Sequence, residues 1–544
     1  MAITVHQAFA LAAARWAKRP FLCVLPETAE IYGITAGELR YAEAAERIET
    51  LRAAYAAAGY GHGHRVGILL ENRPAFFLHW FALNGLGVSV VPINPDMRAA
   101  ELEYLIGHSE IALAIALPQR HADLLAAADR AGRPFQVMGE RDTPPEAAFP
   151  APQADTEPHE LSEAALLYTS GTTGRPKGCI LPNRYFLHAG NWYANIGGLA
   201  TLEPGKERML TPLPLVHMNA MAYSAMAMIM TGGCLIPLDR FHPRSWWDSV
   251  RESRATVVHY LGVMPAMLMK AEASPADRDH SVRFGFGAGV DRSLHGIFEE
   301  RFGFPLLEAW AMTETGAGAV IIANKEPRHI GTSCFGKEEA DVLVRLVTDD
   351  GRDAGVDEQG ELLVRHAGDD PRYGFLAGYL KDEAATDEAW AGGWFHTGDI
   401  VRRDAEGYLH FVDRKKNVIR RSGENIAAVE VESVLQQHAL VKSVAVAAVP
   451  DPVRGDEVMA LVVAEEVPAD RAGMESAAAE LVNWALSQLA YYKAPGYVAF
   501  VDALPLTTTN KIQRGELKAL APTLVEHTSC VNTCAMKKRQ GDHK

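Results

Sequence analysis

Thr169-Ser170-Gly171-Thr172-Thr173-Gly174-Arg175-Pro176-Lys177-Gly178 follows directly on a short apolar run, Leu166-Leu167-Tyr168. The run has the composition of a buried strand. Gly171, Gly174 and Gly178 open backbone conformations closed to other residues, so peptide N–H groups can turn inward on an anion. Thr169, Ser170, Thr172 and Thr173 add hydroxyl donors, Lys177 adds a full positive charge, and Pro176 stiffens the exit. A surface turn draws on the same residue types, but ten contiguous positions that all suit a phosphate make an anion loop the stronger reading. The Gly and Lys spacing is not that of a GxxxxGK[ST] loop, and no Ser or Thr follows Lys177, which argues against a P-loop kinase or NTPase.

Around this loop, short apolar runs alternate with helical stretches. Residues 65–70, 88–92 and 111–117 are strand candidates, and 74–86 and 121–131 read as helices. This alternation predicts an α/β fold with largely parallel sheets. Residues 140–160, rich in Pro, Glu and Ala, read as a surface linker. Further on, Asp341-Val342-Leu343-Val344-Arg345-Leu346-Val347 and Gly360-Glu361-Leu362-Leu363-Val364-Arg365 read as antiparallel strands, with a turn at Asp349-Asp350-Gly351. The expected organisation has four parts. A large N-terminal domain over 1–413 combines parallel-rich sheets wrapped by helices with a β-barrel-like part. A short link follows at 414–416, then a small C-terminal α+β domain over 417–520 and a flexible tail over 521–544.

The formal net charge of the 544 residues is −15, which disfavours nucleic acid as a partner and requires positive charge to be gathered locally wherever a polyanion is held. Cys23, Cys179, Cys234, Cys334, Cys530 and Cys534 show no metal-ligand spacing, which predicts free thiols and a cytoplasmic location. Residues 209–238 contain no Asp, Glu, Lys or Arg. Pro212, Pro214, His217, Asn219, Gly232, Gly233 and Pro237 within them fit a buried helix running into a buried strand better than a membrane span.

The phosphate loop resembles the signature loop of the adenylate-forming superfamily: acyl-CoA synthetases, peptide-synthetase adenylation domains and firefly-type luciferases. Other stretches resemble that family's motifs in the family's order. Leu213-Pro214-Leu215-Val216-His217 resembles the segment whose His gates the acyl pocket, and the resemblance casts His217 in that role. Gly287-Ala288-Gly289-Val290 would bring backbone close to adenine and the acyl chain. Trp310-Ala311-Met312-Thr313-Glu314 is similar to the aromatic-Gly-x-Thr-Glu element. The resemblance implies that Trp310 stacks on adenine, Ala311 and Met312 line the pocket, Thr313 contacts the α-phosphate, and Glu314 with Thr169 holds Mg²⁺. Trp310 and Ala311 replace the usual Tyr and Gly.

Gly393-Trp394-Phe395-His396-Thr397-Gly398-Asp399 is nearly unmodified family sequence, and places Asp399 on the ribose hydroxyls with Arg414 nearby. In Arg414-Lys415-Lys416 the resemblance puts the hinge at Lys416, and it puts Gly423 on the thiol-reaction face. Leu504-Pro505-Leu506-Thr507-Thr508-Thr509-Asn510-Lys511-Ile512 resembles the Thr-x-x-Gly-Lys-Ile element, with Asn510 where Gly is usual. Asn tolerates the left-handed region better than most residues. Lys511 would bridge the carboxylate and the α-phosphate as the leading catalytic residue.

Val91-Pro92-Ile93-Asn94 and Ser422-Gly423-Glu424-Asn425 look most like the crotonobetaine/carnitine–CoA ligase branch. Together these likenesses imply an enzyme using ATP, Mg²⁺ and coenzyme A on a small carboxylic acid. It would form acyl-AMP and then a thioester by domain alternation. Two alternatives stand beside it: a stand-alone adenylation enzyme loading a carrier protein, and a non-catalytic binding protein on the same fold. Association as a homo-oligomer is compatible with all three.

Overall fold

A computed structural model describes residues 2–97, 99–169, 176–421, 424–451, 455–468, 470–489, 491–506 and 511–537. The chain divides into two compact units. One comprises Met1–Val344 and Leu363–His396, the other Arg345–Leu362 and Thr397–Lys544.

The first unit holds two large sheets. In one, Pro20–Val24, Cys234–Pro237, Arg208–Thr211, Val257–Leu261, Phe284–Ala288 and Leu306–Trp310 lie parallel in that spatial order. Antiparallel Gly37–Arg40 and Ile321–Ile322 close its two edges. In the other, Gln136–Met138, Leu113–Ala116, Arg65–Leu69, Ser89–Pro92 and Glu163–Thr169 are parallel. Lys177–Pro182 and Gly378–Tyr379 then add antiparallel strands. The central strands read as unbroken apolar runs because both of their faces are covered, and Leu113–Ala116 and Ser89–Pro92 are buried at every position. The helix Pro74–Asn84 starts on a proline at its first turn, where the missing N–H costs nothing, and is buried from Phe76 to Asn84.

The charge-free stretch 209–238 is a buried strand, a π-helix Asn219–Ala225, an α-helix Met226–Thr231 and a second buried strand. Among the described residues no helix is long and apolar enough to cross a membrane. All six cysteines are free.

In the second unit, Val441–Asp451 and Gly455–Ala464 form a long antiparallel pair. Tyr497–Phe500 adds to it in parallel, and Ala428–Leu435 and Arg471–Gln488 are its main helices. Two expectations differ from what is found here. The contact boundary falls before residue 413, because Thr397–Asp413 belongs to this unit. Its strands pair Asp399 with Arg414, and the Asp413 carboxylate accepts the N–H of Val429 at the start of the Ala428–Leu435 helix.

The stretch 521–544, expected as a flexible tail, is built into the sheet as far as Lys537. Helix Arg514–Leu524 leads to a strand Cys530–Asn532 that pairs with Tyr497–Phe500. The physical reason is a buried charge. Glu457 has no exposed side-chain surface and is neutralised by Arg421 at 2.8 Å and by Lys537. Burial raises the Glu457 carboxyl pKa, but the Lys537 and Arg421 contacts outweigh it and hold it below the usual range.

Without Lys537 the Glu457–Arg421 pair remains, but one buried carboxylate oxygen loses its charged donor, and a hydrogen bond to a charged group contributes about 1.5–3 kcal/mol. Lys537→Ala should therefore destabilise the C-terminal unit by about that amount in a urea melt, and Glu457→Leu, which leaves Arg421 and Lys537 without their shared carboxylate, should cost more, about 3–5 kcal/mol. A Lys537→Ala melt that overlays the parent would contradict the assignment.

Candidate active site

The phosphate loop is held at the end of a hairpin. Thr169 and Lys177 are the last paired residues of Glu163–Thr169 and Lys177–Pro182. Ser170, Gly171, Thr172, Thr173, Gly174 and Arg175 lie outside the described residues. The Tyr104 hydroxyl donates to Pro176 O at 2.9 Å and pins the exit. Lys177 Nζ stands 4.8 Å from the centroid of the Tyr379 ring, a cation–π contact. The Tyr379 hydroxyl donates to Glu314 Oε1 at 3.2 Å. Glu314 is buried, and burial together with the neighbouring Glu314 charge raises the Tyr379 phenol pKa, so the hydroxyl keeps its proton. The Cys179 thiol lies among Thr169, Glu314 and Lys177. Burial first and then Glu314 raise its pKa, while a Thr169 hydrogen bond and Lys177 pull it down. Thr169 and Glu314, the two expected Mg²⁺ ligands, therefore share one neighbourhood. A carboxylate and a hydroxyl are hard oxygen donors, the kind that suits an ion keeping most of its waters.

The Glu314 segment is fixed by hydrogen bonds from several sides. Tyr185 donates to Thr313 O at 2.9 Å, Tyr223 to Gly316 O at 3.0 Å, and Leu376 N–H to Glu314 O at 2.9 Å. Met312 N–H donates to the Thr315 hydroxyl at 3.0 Å.

The other residues expected to line the site come from the carboxyl ends of three adjacent parallel strands, where ligands of open α/β sheets bind. Val257–Leu261, Phe284–Ala288 and Leu306–Trp310 deliver Gly287, Ala288 and Gly289 beside Trp310, Ala311 and Met312. A methyl group at Gly262 would run into Gly289 O, so only glycine allows these two backbones to touch. Glu308 caps the turn that follows. Its buried carboxylate accepts Gly289 N–H at 2.9 Å, Val290 N–H at 3.2 Å and the Tyr260 hydroxyl at 2.8 Å. Burial pushes the Glu308 carboxyl pKa up, against the pull of these bonds. Trp310 is buried with its ring 6.3 Å from Phe335. His217 is exposed, on a turn held by Asn72. The Asn72 amide donates to Leu213 O at 3.1 Å and accepts Leu215 N–H at 2.9 Å. His259 is a satisfied core histidine: burial lowers its pKa to about 3.

In the second unit, Asp399 and Arg414 face each other across paired strands, with Nε 2.6 Å from Oδ1. The Thr397 hydroxyl accepts Asp399 N–H at 3.0 Å and donates to Leu362 O at 2.7 Å. Lys511 has exposed surface, yet enough protein surrounds it that partial desolvation lowers its pKa, and the Arg414 charge lowers it further. These three expected residues are thus close together. Lys416 lies in the short 3₁₀ turn Lys415–Asn417, which begins where the buried Asp413 carboxylate accepts Arg414 N–H at 2.7 Å. Gly423 and Asn510 lie outside the described residues.

Tyr379, Glu308, Asn72 and Asp413 were not among the expected site residues. Glu308 carries a signal in hindsight, as one charge inside the apolar strand Leu306-Leu307-Glu308-Ala309-Trp310. Tyr379 carries none, because its partners Lys177 and Glu314 are remote in sequence.

Residues 9–379 match the AMP-binding enzyme family, and residues 430–511 match the AMP-binding enzyme C-terminal domain. A sulfoacetate–CoA ligase of Cupriavidus necator is 32% identical over 527 residues, covering 94% of this chain and 97% of the relative. A crotonobetaine/carnitine–CoA ligase of Salmonella paratyphi C is 28% identical over 515 residues, covering 90% and 96%. Among solved structures, o-succinylbenzoate CoA synthetase from Bacillus subtilis, in complex with its acyl-adenylate intermediate, shares the fold. Its TM-score is 0.78 and its identity 24%, with 94% of this chain and 97% of that one covered. ATP-bound MatB from Rhodopseudomonas palustris has a TM-score of 0.78 and 24% identity, covering 96% and 100%. The chain belongs to the AMP-binding enzyme family. Within it, the chain is an AMP-forming acid–thiol ligase.

A hydrogen bond to a charged group contributes about 1.5–3 kcal/mol. Tyr379→Phe keeps the ring under Lys177 but removes the hydroxyl from Glu314. It should raise the KM for Mg-ATP about tenfold or more. An unchanged KM in steady-state assays would show that the hydroxyl does not position Glu314.

Proposed function

We propose that this enzyme is an ATP- and Mg²⁺-dependent acyl-CoA ligase for a small carboxylic acid, acting in the cytoplasm by alternation of its C-terminal domain. The observation that carries the reading is the buried Glu314 carboxylate, joined through Tyr379 to Lys177 in a chain of the AMP-binding enzyme family.

In the first half-reaction a carboxylate oxygen of the acid attacks the α-phosphorus of ATP. The bond to the bridging oxygen breaks, and pyrophosphate leaves with the electron pair. Negative charge gathers between the acid and the triphosphate, and Lys511 and Lys177 offset it. Glu314 and Thr169 would hold the magnesium ion, which neutralises triphosphate charge when bound. Trp310 stacks on adenine, Gly287, Ala288 and Gly289 supply close backbone, Thr313 meets the α-phosphate, and Asp399 with Arg414 holds the ribose. His217 gates the acyl pocket. In the second half-reaction the thiol sulfur of coenzyme A attacks the acyl carbon. The carbon–oxygen bond to phosphate breaks, AMP departs, and the thiol proton goes to solvent. A swing about Lys416 withdraws Lys511 and brings up the Gly423 face.

The relatives support coenzyme A as acceptor, since both are CoA ligases matched along nearly their whole length. Loading of a carrier protein is not favoured. The net charge of −15 supports the absence of nucleic acid from the reaction, and the free cysteines support the cytoplasm.

Lys511→Ala should lower ATP–pyrophosphate exchange by about 10²–10³. It should leave thioester formation from supplied acyl-AMP within about threefold of the parent, since no charge between acid and triphosphate develops in that step. Equal loss in both half-reactions would contradict alternation. Lys416→Pro should slow thioester formation first, and an unaffected rate would remove the hinge from Lys416.

The pH profile follows from the lowered Lys511 pKa. The protonated form is the active one, so adenylation falls as pH rises through a value below that of free lysine. Lys511→Arg should carry whatever activity it retains to higher pH. A profile with no alkaline limb below the free-lysine value would contradict the assignment.

A further inference from the structure

Asn219, His259 and Tyr193 form a chain of hydrogen bonds that sets which way the Asn219 amide is turned. Tyr193 is fully buried, and its hydroxyl lies 3.1 Å from His259 Nε2. Among the described residues no other acceptor takes the Tyr193 proton. A buried hydroxyl donor left unpaired costs far more than one that is bonded, so the proton goes to Nε2. Nε2 is then the lone-pair nitrogen of the ring. Burial keeps His259 neutral near pH 7, so its single ring proton sits on Nδ1. Nδ1–H points at Asn219 Oδ1 at 2.8 Å and at the Ser224 hydroxyl oxygen at 2.9 Å. The amide is thereby oriented with its oxygen toward His259 and its two Nδ2–H donors turned away.

The backbone explains why two polar groups meet one ring. Asn219–Ala225 is a π-helix, whose i to i+5 repeat stacks Ser224 above Asn219, and the Ser224 hydroxyl reaches Asn219 O at 3.3 Å. π-helical turns are rare and concentrate at functional sites. Asn219 is half-buried and follows exposed His217 by two residues. The strand carrying His259 ends beside exposed Ala288 and Gly289. No partner takes Asn219 Nδ2 among the described residues.

Resting on the ligase reading above, we infer that Asn219 is a specificity-determining residue that selects acids carrying a second oxygen acceptor on a short chain, such as a sulfonate, carboxylate or hydroxyl, over plain alkyl acids. The donor is neutral, so it serves charged and uncharged acceptors alike. A pocket built around an oriented donor rejects an analogue that leaves it unpaired more strongly than an apolar pocket rejects one missing methylene.

The test measures kcat/KM for pyrophosphate release with sulfoacetate, succinate, 4-hydroxybutyrate and butyrate, in the parent, Asn219→Leu and Asn219→Asp. Thermal melts check that each variant is folded. In the parent at least one acceptor-bearing acid should exceed butyrate by about tenfold or more. Asn219→Leu should reduce that ratio by about tenfold. Asn219→Asp should lose the two anionic acids first while keeping 4-hydroxybutyrate, whose hydroxyl can donate to the new carboxylate. Butyrate turnover equal to the best acceptor acid, or an unchanged ratio in folded Asn219→Leu, would overturn the inference and leave the ligase reading standing. Pyrophosphate release with none of the acids, from folded protein that still binds ATP, would overturn both.

Discussion

The structure turns on the placing of one buried carboxylate. Glu314 sits in an acidic chain that has to bind a more acidic ligand, and an isolated buried charge is costly. The Tyr379 hydroxyl provides a partner that lowers this cost without neutralising the charge, which a lysine in its place would do. Lys177 is kept near enough to add positive charge, but it is held on the face of the tyrosine ring. Tyr379 thus stands between the two charges, with its hydroxyl on Glu314 and its ring face against Lys177.

Most of the surrounding architecture can be understood as holding that arrangement still. The Thr313–Gly316 backbone is tied by hydroxyls from Tyr185 and Tyr223, each on a different helical element. The Gly289 turn is tied by Glu308, and the His217 turn by Asn72. Electrostatic catalysis depends on groups that are already oriented before charge develops, so rigid supports are the expected companions of such a site. The second unit has a different character. Its Asp399–Arg414 pair is locked, yet Lys511 carries a lowered pKa beside that pair. An ammonium held near another cation gains from an incoming anion, which suits the role proposed for Lys511.

The fold and the family were legible in the sequence, because both are written locally: the alternating apolar runs announced parallel sheets correctly, and the 169–178 and Trp310–Glu314 motifs lie within the stretch that matches the AMP-binding enzyme family. What stayed hidden are pairings between distant residues. Tyr379 meets Glu314 from 65 positions away. Tyr193, His259 and Asn219 each look like ordinary core or helix residues until the π-helix brings them together. The C-terminal segment misled for the same reason. Its polar composition suggests a loose tail, but Lys537 is the counter-charge for Glu457, 80 residues earlier. Neither residue alone reveals that burial.

The central claim is that the acid attacks the α-phosphorus, and isotope transfer tests it most directly. The enzyme would be supplied with a turned-over acid carrying ¹⁸O in both carboxylate oxygens, together with ATP, Mg²⁺ and coenzyme A, and the products analysed by mass spectrometry. One labelled oxygen in AMP, with none in pyrophosphate, is the predicted result. Formation of ADP and labelled orthophosphate, or unlabelled AMP during full turnover, would contradict the account.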